Sequence, residues 1–391
     1  FRPKIQGPMA PALAGLLLLC TVTLGASSPP TPSRPALEHA PVVQELVTLL
    51  DSNATLRASV EEALRFGEST HSLPRNLTWD EIYEFFDNWL VYAPTVDNVP
   101  KYTHAFQRFY TNNPFGLNVT LQPESISWLQ TFVEARGDFL SSNASVSTLP
   151  GWISDPAVAI HDFIVPEGGF KSFNDFFTRH FKEGRRPIEA PVNNSVIVSP
   201  ADCEISTLNL LTPTSLINLK GDNVNVTTML GGGPIADLFV HGSMLELGLG
   251  LLNYHRFHSP VSGVVVDIRW LDGLIFGWYF GHMEDYLNSF TRCHRGVWFI
   301  DNAEFGVVAV VAVGARTVNS IQSQVKVGDL LAKGDPLGFF AFGGSSMGVL
   351  FSAPYAQHFE AAPVVASSCP HIFAPECYSI KVGQEVATFQ P

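Results

Sequence analysis

The sequence predicts an α+β fold: a helical N-terminal domain followed by a mixed β barrel or sandwich that carries a few helices. Two changes of pattern support this prediction. Before residue 150 the apolar residues recur at helical spacing, and after residue 190 they form short β-branched runs between Gly and Asp turns. Strands and helices do not alternate at the spacing of βαβ units, so a parallel sheet is not predicted.

A capping box marks the clearest helix of the first half. Thr78 can accept a hydrogen bond from the third helical N–H, while Glu81 reaches back to the start of the helix. The buried face that follows has the i, i+3, i+4, i+7, i+8 spacing and consists of Ile82, Phe85, Phe86, Trp89 and Leu90. Similar periodicity in 42–50 and 126–140 predicts further helices. No chemical constellation accompanies them, so a packing or partner-binding role is expected for 38–150.

The second half begins with one more helix and then becomes β-rich. Ser172 is the predicted N-cap, and Gly184 with Pro187 is expected to end the helix. Its predicted apolar stripe is Phe173, Phe176, Phe177 and Phe181. Val307–Val313 is almost entirely β-branched and apolar, which is typical of a strand buried on both faces. We assign 151–391 to a second domain.

The N-terminus has the layout of a secretory signal peptide. Arg2 and Lys4 precede the apolar run Ala10–Val22, and small residues follow, so we assign 1–28 to the signal and 29–37 to a Pro/Ser-rich linker. An uncleaved signal anchor is the alternative. Glycan-acceptor sequons also indicate the secretory pathway, with a secreted or a lumenal, membrane-associated product. The sequons lie at Asn53, Asn76, Asn118, Asn143, Asn193 and Asn225.

The net charge limits the kinds of binding partner, and the cysteine content bears on disulfide formation. A formal net charge of −13 argues against a nucleic-acid partner, since phosphate binding needs a basic surface. Beyond the signal the cysteines are Cys203, Cys293, Cys369 and Cys377. An even number in an exported chain permits two disulfides, and buried free thiols are the alternative.

A serine motif near the C-terminus raises an esterase hypothesis. Ser346 lies in Gly-Ser-Ser-Met-Gly, which matches the G-x-S-x-G nucleophile elbow of α/β-hydrolases. An acid and then a histidine should follow that serine, but no Asp follows it, and only Glu360 with His371 has the required order. Pro354 also interrupts the helix that an elbow needs. The esterase interpretation is therefore disfavoured.

Four other residues offer an acid, bases and a nucleophile. They are Asp202, His255, His258 and Ser345. Each of them taken singly is unremarkable, and a lone His or Asp is more often a hydrogen-bonded structural residue. The His-x-x-His pair has no evident third ligand, so no metal is predicted.

The stretches around these residues resemble phosphatidylserine decarboxylases. One match is YHRFHSPVSG (254–263), which resembles that family's YHR-x-H-x-P-x-x-G segment. The others are SPAD (199–202), FNDFFTRHFKEGRRPI (173–188), WFIDNAEFGVVAVVAVGARTVNSI (298–321) and FGGSS (342–346). They follow the family's order and cover roughly Gly169–Leu350.

The resemblance implies self-cleavage between Gly344 and Ser345. Ser345 would attack the Gly344 carbonyl, and the resulting ester would eliminate and hydrolyse to a covalent pyruvoyl group at residue 345, the only cofactor expected. Within the family pattern His258 is the base, Asp202 orients it, and His255 protonates the substrate carbanion. The product would be two chains held together, one of which ends at Gly344.

Departures from the family pattern leave the substrate open. Cys203 replaces a glycine, Asn253 replaces a common aspartate, and Ser346 replaces a usual threonine. Phosphatidylserine, with peripheral membrane contact, is the first expectation. A free aromatic amino acid is the alternative, because the Gly-Gly-Ser-Ser form and the helical domain resemble a fungal tryptophan-decarboxylating subgroup. An unprocessed secreted binding module is a hypothesis of a different class.

Overall fold

The structure is a computed structural model that describes residues 38–99, 101–205, 208–211, 217–219, 222–273, 293–315, 321–342, 344–366 and 378–390. The predicted signal peptide and linker, together with Cys369 and Cys377, lie outside the described residues. The described residues from His39 onward form one compact unit. The predicted domain boundary at residue 150 stays a prediction.

The first part of this unit is helical, as the apolar spacing predicts. The capping box is confirmed: the Glu81 N–H donates to Thr78 Oγ1 at 3.2 Å, and the Thr78 N–H donates to Glu81 Oε2 at 2.8 Å. Trp89 and Phe132 lie at the centre of one apolar core. No described helix is both long and apolar enough to cross a bilayer. The helices are α1 (Pro41–Ser52), α2 (Ala54–Ser69), α3 (Trp79–Leu90), α4 (Lys101–Tyr110), α5 (Pro114–Thr120) and α6 (Pro123–Leu140).

Short helices follow: α7 (Leu149–Ser154), α8 (Phe173–Phe177), α9 (Val226–Met229), α10 (Gly233–Asp237) and α11 (Pro363–Ala366). Ser172 caps α8 as predicted, accepting from the Asp175 N–H at 3.0 Å. The predicted extent of α8 is wrong, because the helix ends at Phe177 and does not include Phe181. Phe181 instead forms a β-bridge with Phe163, and the Ile164 N–H donates to the His180 carbonyl. These long-range bonds draw the chain out of the helix.

The β-rich part is built on one large antiparallel sheet. The strands of this sheet are β2 (Cys203–Ile205), β3 (Asn209–Leu210), β6 (Ser243–Leu249), β8 (Gly263–Leu271), β9 (Arg295–Asn302), β10 (Gly306–Ala315), β12 (Leu330–Leu331), β14 (Gly344–Phe351) and β16 (Tyr378–Ile380). Their order across the sheet is β12-β8-β9-β10-β14-β6-β2-β16, with β3 paired to β6. In β10, Val308 and Val310 pack into one core while Ala309 and Val311 pack into another, so this strand is buried on both faces as predicted.

Smaller sheets cover one face of the large sheet, and α9 and α10 contribute to the core on the other face. The α+β class is confirmed, and the arrangement is sandwich-like rather than a closed barrel within the described ranges. The remaining strands are β1 (Val196–Val198), β15 (Phe359–Ala361) and β17 (Glu385–Phe389) in one sheet, β7 (Arg256–His258), β11 (Ile321–Ser323) and β13 (Pro336–Phe340) in a second, and β4 (Ile217–Leu219) with β5 (Asp222–Val224).

Two of the four cysteines beyond the predicted signal peptide, Cys203 and Cys293, lie among the described residues. Cys203 is a buried free thiol, and Cys293 is buried as well. Burial raises the pKa of Cys203 far above its ordinary value and outweighs the hydrogen bond with Ser199, which lowers it, so the thiol stays protonated. Because Cys203 is free, the four cysteines do not form two disulfides, and the free-thiol alternative holds for Cys203.

Candidate active site

Ser345 lies at the beginning of β14, between two neighbouring strands. It pairs with Gly314 of β10 and Leu249 of β6. The residue is 3% exposed, and its Oγ has no hydrogen-bond partner among the described residues. A buried hydroxyl without a partner is unfavourable by about 1–3 kcal/mol, so the fold does not use this hydroxyl for its own stability.

The neighbouring Ser346 does not form a nucleophile elbow. An elbow serine stands on a sharp turn between a strand and a helix. Ser346 instead lies within the continuous strand β14, opposite Val313 on one side and Gly248 on the other. The structure thus agrees with the sequence in disfavouring an esterase.

His255 is fully buried and follows the end of β6. Its Nδ1 lies 2.9 Å from the Asn253 carbonyl oxygen, so Nδ1 carries the proton and donates it. The ring stacks on Phe177 at a centroid distance of 3.9 Å, and Nε2 has no partner in the described part of the chain. Burial lowers the pKa of His255 to about 3, which outweighs the hydrogen bond to Asn253. The imidazole is therefore neutral, with a free lone pair on Nε2.

His258 is held by two different partners. Its Nδ1 donates to the Gly334 carbonyl at 2.8 Å, and its Nε2 accepts from the Tyr254 hydroxyl at 3.0 Å. Burial is the main cause that lowers the pKa of His258, so this ring is also neutral near pH 7. A backbone carbonyl thereby sets the tautomer that we expected Asp202 to set.

The carboxylate of Asp202 is bound by cations. Arg186 donates from Nε to Oδ1 at 3.0 Å and from Nη2 to Oδ2 at 2.6 Å, and Lys381 Nζ lies 3.4 Å from Oδ2. The Val382 N–H also donates to Oδ1, at 3.0 Å. Burial raises the pKa of Asp202, but the bonds from Arg186 and the charge of Lys381 outweigh it, so the pKa is lowered. Asp202 is an anion near pH 7.

The backbone brings the two motifs together. The Asn253 side chain donates to the Asp202 carbonyl at 2.9 Å, and the His258 N–H donates to the Pro200 carbonyl at 2.8 Å. Among the described residues, however, the carboxylate of Asp202 bonds to Arg186 and not to His258, and neither histidine is hydrogen-bonded to Ser345. The catalytic roles assigned to these four residues stay predictions.

Three residues at the site were missed by the motif reasoning. Arg186 and Asn174 lie within the stretch 173–188, and Tyr254 begins the stretch 254–263. Their position inside the matched stretches was the available signal. The bonds of Arg186 to Asp202 and of Asn174 to Phe342 span 16 and 168 residues, so local patterns do not predict them. No group of three His, Cys, Asp or Glu side chains is placed to hold a metal within the ranges described. The pyruvoyl group expected from the sequence would be made from the Ser345 side chain. The absence of a partner for Ser345 Oγ among the described residues is compatible with that expectation.

Comparison with known proteins supports the same grouping. The family model of phosphatidylserine decarboxylase matches residues 173–388, more than half of the chain. The chain is 35% identical over 223 residues to phosphatidylserine decarboxylase proenzyme 3 of Schizosaccharomyces pombe. The aligned region is 57% of this chain and 23% of that protein. It is 32% identical over 226 residues to proenzyme 2 of Oryza sativa, covering 57% of this chain and 36% of that protein.

A bacterial relative is matched over more of its length. The chain is 31% identical over 244 residues to a phosphatidylserine decarboxylase proenzyme of Chlamydia trachomatis, which corresponds to 58% of this chain and 80% of that protein. The chain spans well under half of the length of the yeast and rice relatives. The matched region contains α8, the strands and all four candidate site residues, and on this evidence the chain belongs to the phosphatidylserine decarboxylase family.

Proposed function

We propose that the chain cleaves itself between Gly344 and Ser345 and then acts as a pyruvoyl-dependent decarboxylase that converts phosphatidylserine to phosphatidylethanolamine and carbon dioxide. One observation carries the proposal: Ser345 Oγ is buried, lacks a partner within the described structure, and follows a glycine in a chain of this family. A hydroxyl with no competing hydrogen bond is available to attack the adjacent carbonyl.

The cleavage uses only groups of the chain and one water molecule. Ser345 Oγ adds to the Gly344 carbonyl carbon while a base takes its proton, and the C–N bond breaks to leave an ester and a free amine. Loss of the Ser345 Cα proton expels the Gly344 carboxylate and leaves dehydroalanine. Water then replaces nitrogen, giving the pyruvoyl group and ammonia.

The base in this proposal is His258. Its lone pair on Nε2 accepts the Tyr254 hydroxyl, so that bond must be exchanged before Nε2 can receive the Ser345 proton. Nδ1 stays protonated because it donates to the Gly334 carbonyl. Asp202, which remains anionic, stabilises positive charge on the ring through space rather than through a direct bond.

In the mature enzyme the pyruvoyl group supplies an electron sink for decarboxylation. The contribution of His255 is proton transfer. Its Nε2 is buried and has no hydrogen-bond partner among the described residues, so it can take up a proton and return it to the carbon from which carbon dioxide leaves. Phe177 excludes water from one face of that ring.

The experiment compares the wild type with Ser345→Ala. Denaturing gels and intact mass should show a chain ending at Gly344 and a shorter chain with a blocked N-terminus for the wild type, and one whole chain for the variant. A folded wild type that stays whole would overturn the proposal and leave the alternative of an unprocessed secreted binding module.

A free aromatic amino acid is the second candidate substrate. Aromatic rings crowd the region, since Phe177 contacts both His255 and Phe342, and the net charge of −13 opposes approach to an anionic lipid surface. Carbon dioxide release should be measured with phosphatidylserine vesicles and with tryptophan side by side. Release from vesicles supports the lipid substrate and peripheral membrane contact. Release from tryptophan but not from vesicles supports the alternative substrate.

For location we propose the secretory pathway, with a secreted or lumenal product. Exposure of the sequon asparagines supports this, because Asn76, Asn118, Asn143, Asn193 and Asn225 are exposed and Asn53 is half-buried. Treatment of the cell-expressed protein with an N-glycosidase should lower its mass on a gel. An unchanged mass would remove this support.

A further inference from the structure

The side chain of Asn174 connects the helical region to the segment that precedes the cleavage site. Its Oδ1 accepts the Phe342 N–H at 3.0 Å, and its Nδ2 donates to Ser141 Oγ at 3.0 Å. Phe342 is two residues before Gly344, and Ser141 is the C-cap residue of α6. The Asn174 amide thus uses its acceptor for a residue 168 positions later in the sequence and its donor for a residue 33 positions earlier.

We propose that Asn174 is a positioning residue for self-cleavage, through which the end of α6 holds the backbone at Phe342, two residues before Gly344. The inference rests on the self-cleavage proposed above. An intramolecular attack is sensitive to the placement of the carbonyl, and a displacement of about 1 Å can slow such a reaction by about a hundredfold. Anchoring the backbone at Phe342 restricts where the Gly344 carbonyl can lie.

The anchor is itself fixed to the helical region. The Phe173 N–H at the start of α8 donates to Ser145 Oγ at 2.9 Å, and that hydroxyl donates to the Leu140 carbonyl at the end of α6. The Phe342 ring then packs edge-on against Phe173 at 5.0 Å. Both the backbone and the side chain of Phe342 are therefore held by elements attached to α6.

The bond at Asn174 also faces competition from water. A cleft of about 540 Å³ borders it, lined by Asn174, Ser141, Phe342 and Gly137 together with acidic residues such as Asp138. Solvent in this cleft can satisfy the Phe342 N–H if the side chain is removed. Truncation should therefore loosen the segment without leaving an unsatisfied buried group.

Three variants separate positioning from mere packing. Asn174→Leu has neither donor nor acceptor, Asn174→Asp keeps the acceptor for Phe342, and Ser141→Ala removes only the link to α6. Cleavage is followed as the loss of full-length chain with time in cell-free translation. Asn98→Leu, at an exposed position outside the sequons, is the matched control.

We expect Asn174→Leu to slow cleavage about ten- to a hundredfold. Asn174→Asp should stay within about threefold of the wild type, and Ser141→Ala should slow cleavage about two- to fivefold, as for the loss of one neutral hydrogen bond. The urea midpoint of each variant in the Ser345→Ala background shows whether it is folded. If Asn174→Leu does not fold, Asn174→Ala makes the same comparison.

The outcomes are distinguishable. If the wild type does not cleave, the proposed function and this inference both fail. If the wild type cleaves and folded Asn174→Leu cleaves at the same rate, only the positioning role fails. If Asn174→Asp is slowed as much as Asn174→Leu, the bond to Phe342 is not the cause, and the inference is again overturned.

Discussion

Replacing Arg186 with Met tests how the anionic state of Asp202 is maintained. The variant is made in the Ser345→Ala background, so that one uniform chain is unfolded. Arg186 is 10% exposed in its side chain and Asp202 is 2% exposed, so their ion pair is largely shielded from water. Removing the guanidinium leaves a buried carboxylate with only Lys381 and the Val382 N–H.

The expected loss in the free energy of unfolding at pH 7 is about 2–3 kcal/mol. Breaking a buried ion pair by removing one partner typically destabilises a protein by about 3–5 kcal/mol. The value here lies below that range because Lys381 and Val382 still contact the carboxylate. Urea unfolding followed by tryptophan fluorescence measures the change, and Lys326→Met, on an exposed turn, is the matched control.

The loss of stability caused by Arg186→Met should depend on pH. The pKa of Asp202 is lowered in the folded parent, so its contribution is present above the unfolded value of 3.8 and is lost as the pH falls through the folded pKa. Without Arg186, burial dominates and raises that pKa, so the variant's deficit should shrink between pH 7 and pH 4. A deficit that is below about 1 kcal/mol at pH 7, or equal at both pH values, would refute this account of the site.

The remaining predictions concern other parts of the fold. Tyr254→Phe leaves Nε2 of His258 without its partner and should lower the free energy of unfolding by about 1–2 kcal/mol; an unchanged urea midpoint would show that this bond is absent. The ring of His255 should stay neutral down to about pH 3, so the fold loses stability as the pH falls below the unfolded value of 6.5; NMR titration of the ring near pH 6.5 would contradict this. Thr78→Ala removes a capping box and should lower the free energy of unfolding by about 1 kcal/mol, whereas the exposed Thr131→Ala should change it less.

Local patterns in the sequence were sufficient for the features that depend on neighbouring residues. The capping box at Thr78 and the strand around Val310 were predicted because caps and apolar periodicity act over a few residues. The family, too, could be inferred from short stretches in a set order. The extent of α8 could not, because the bridge between Phe163 and Phe181 overrides the local preference for helix.

The connections among the site residues were decided by the tertiary structure. Asp202 meets Arg186 from 16 residues earlier and Val382 from 180 residues later, and His258 meets Gly334 from 76 residues later. Motif matching placed Asp202 and His258 in one site but implied a direct contact between them. Burial makes an unpaired polar atom costly, and the fold supplies Asp202 and His258 with partners that no local pattern specifies. The sequence by itself thus determined the family, the helix caps and the buried strand pattern, because these depend on residues close together in the chain. Only the packing of distant segments decided which atoms of Asp202 and His258 bond, and to which partners.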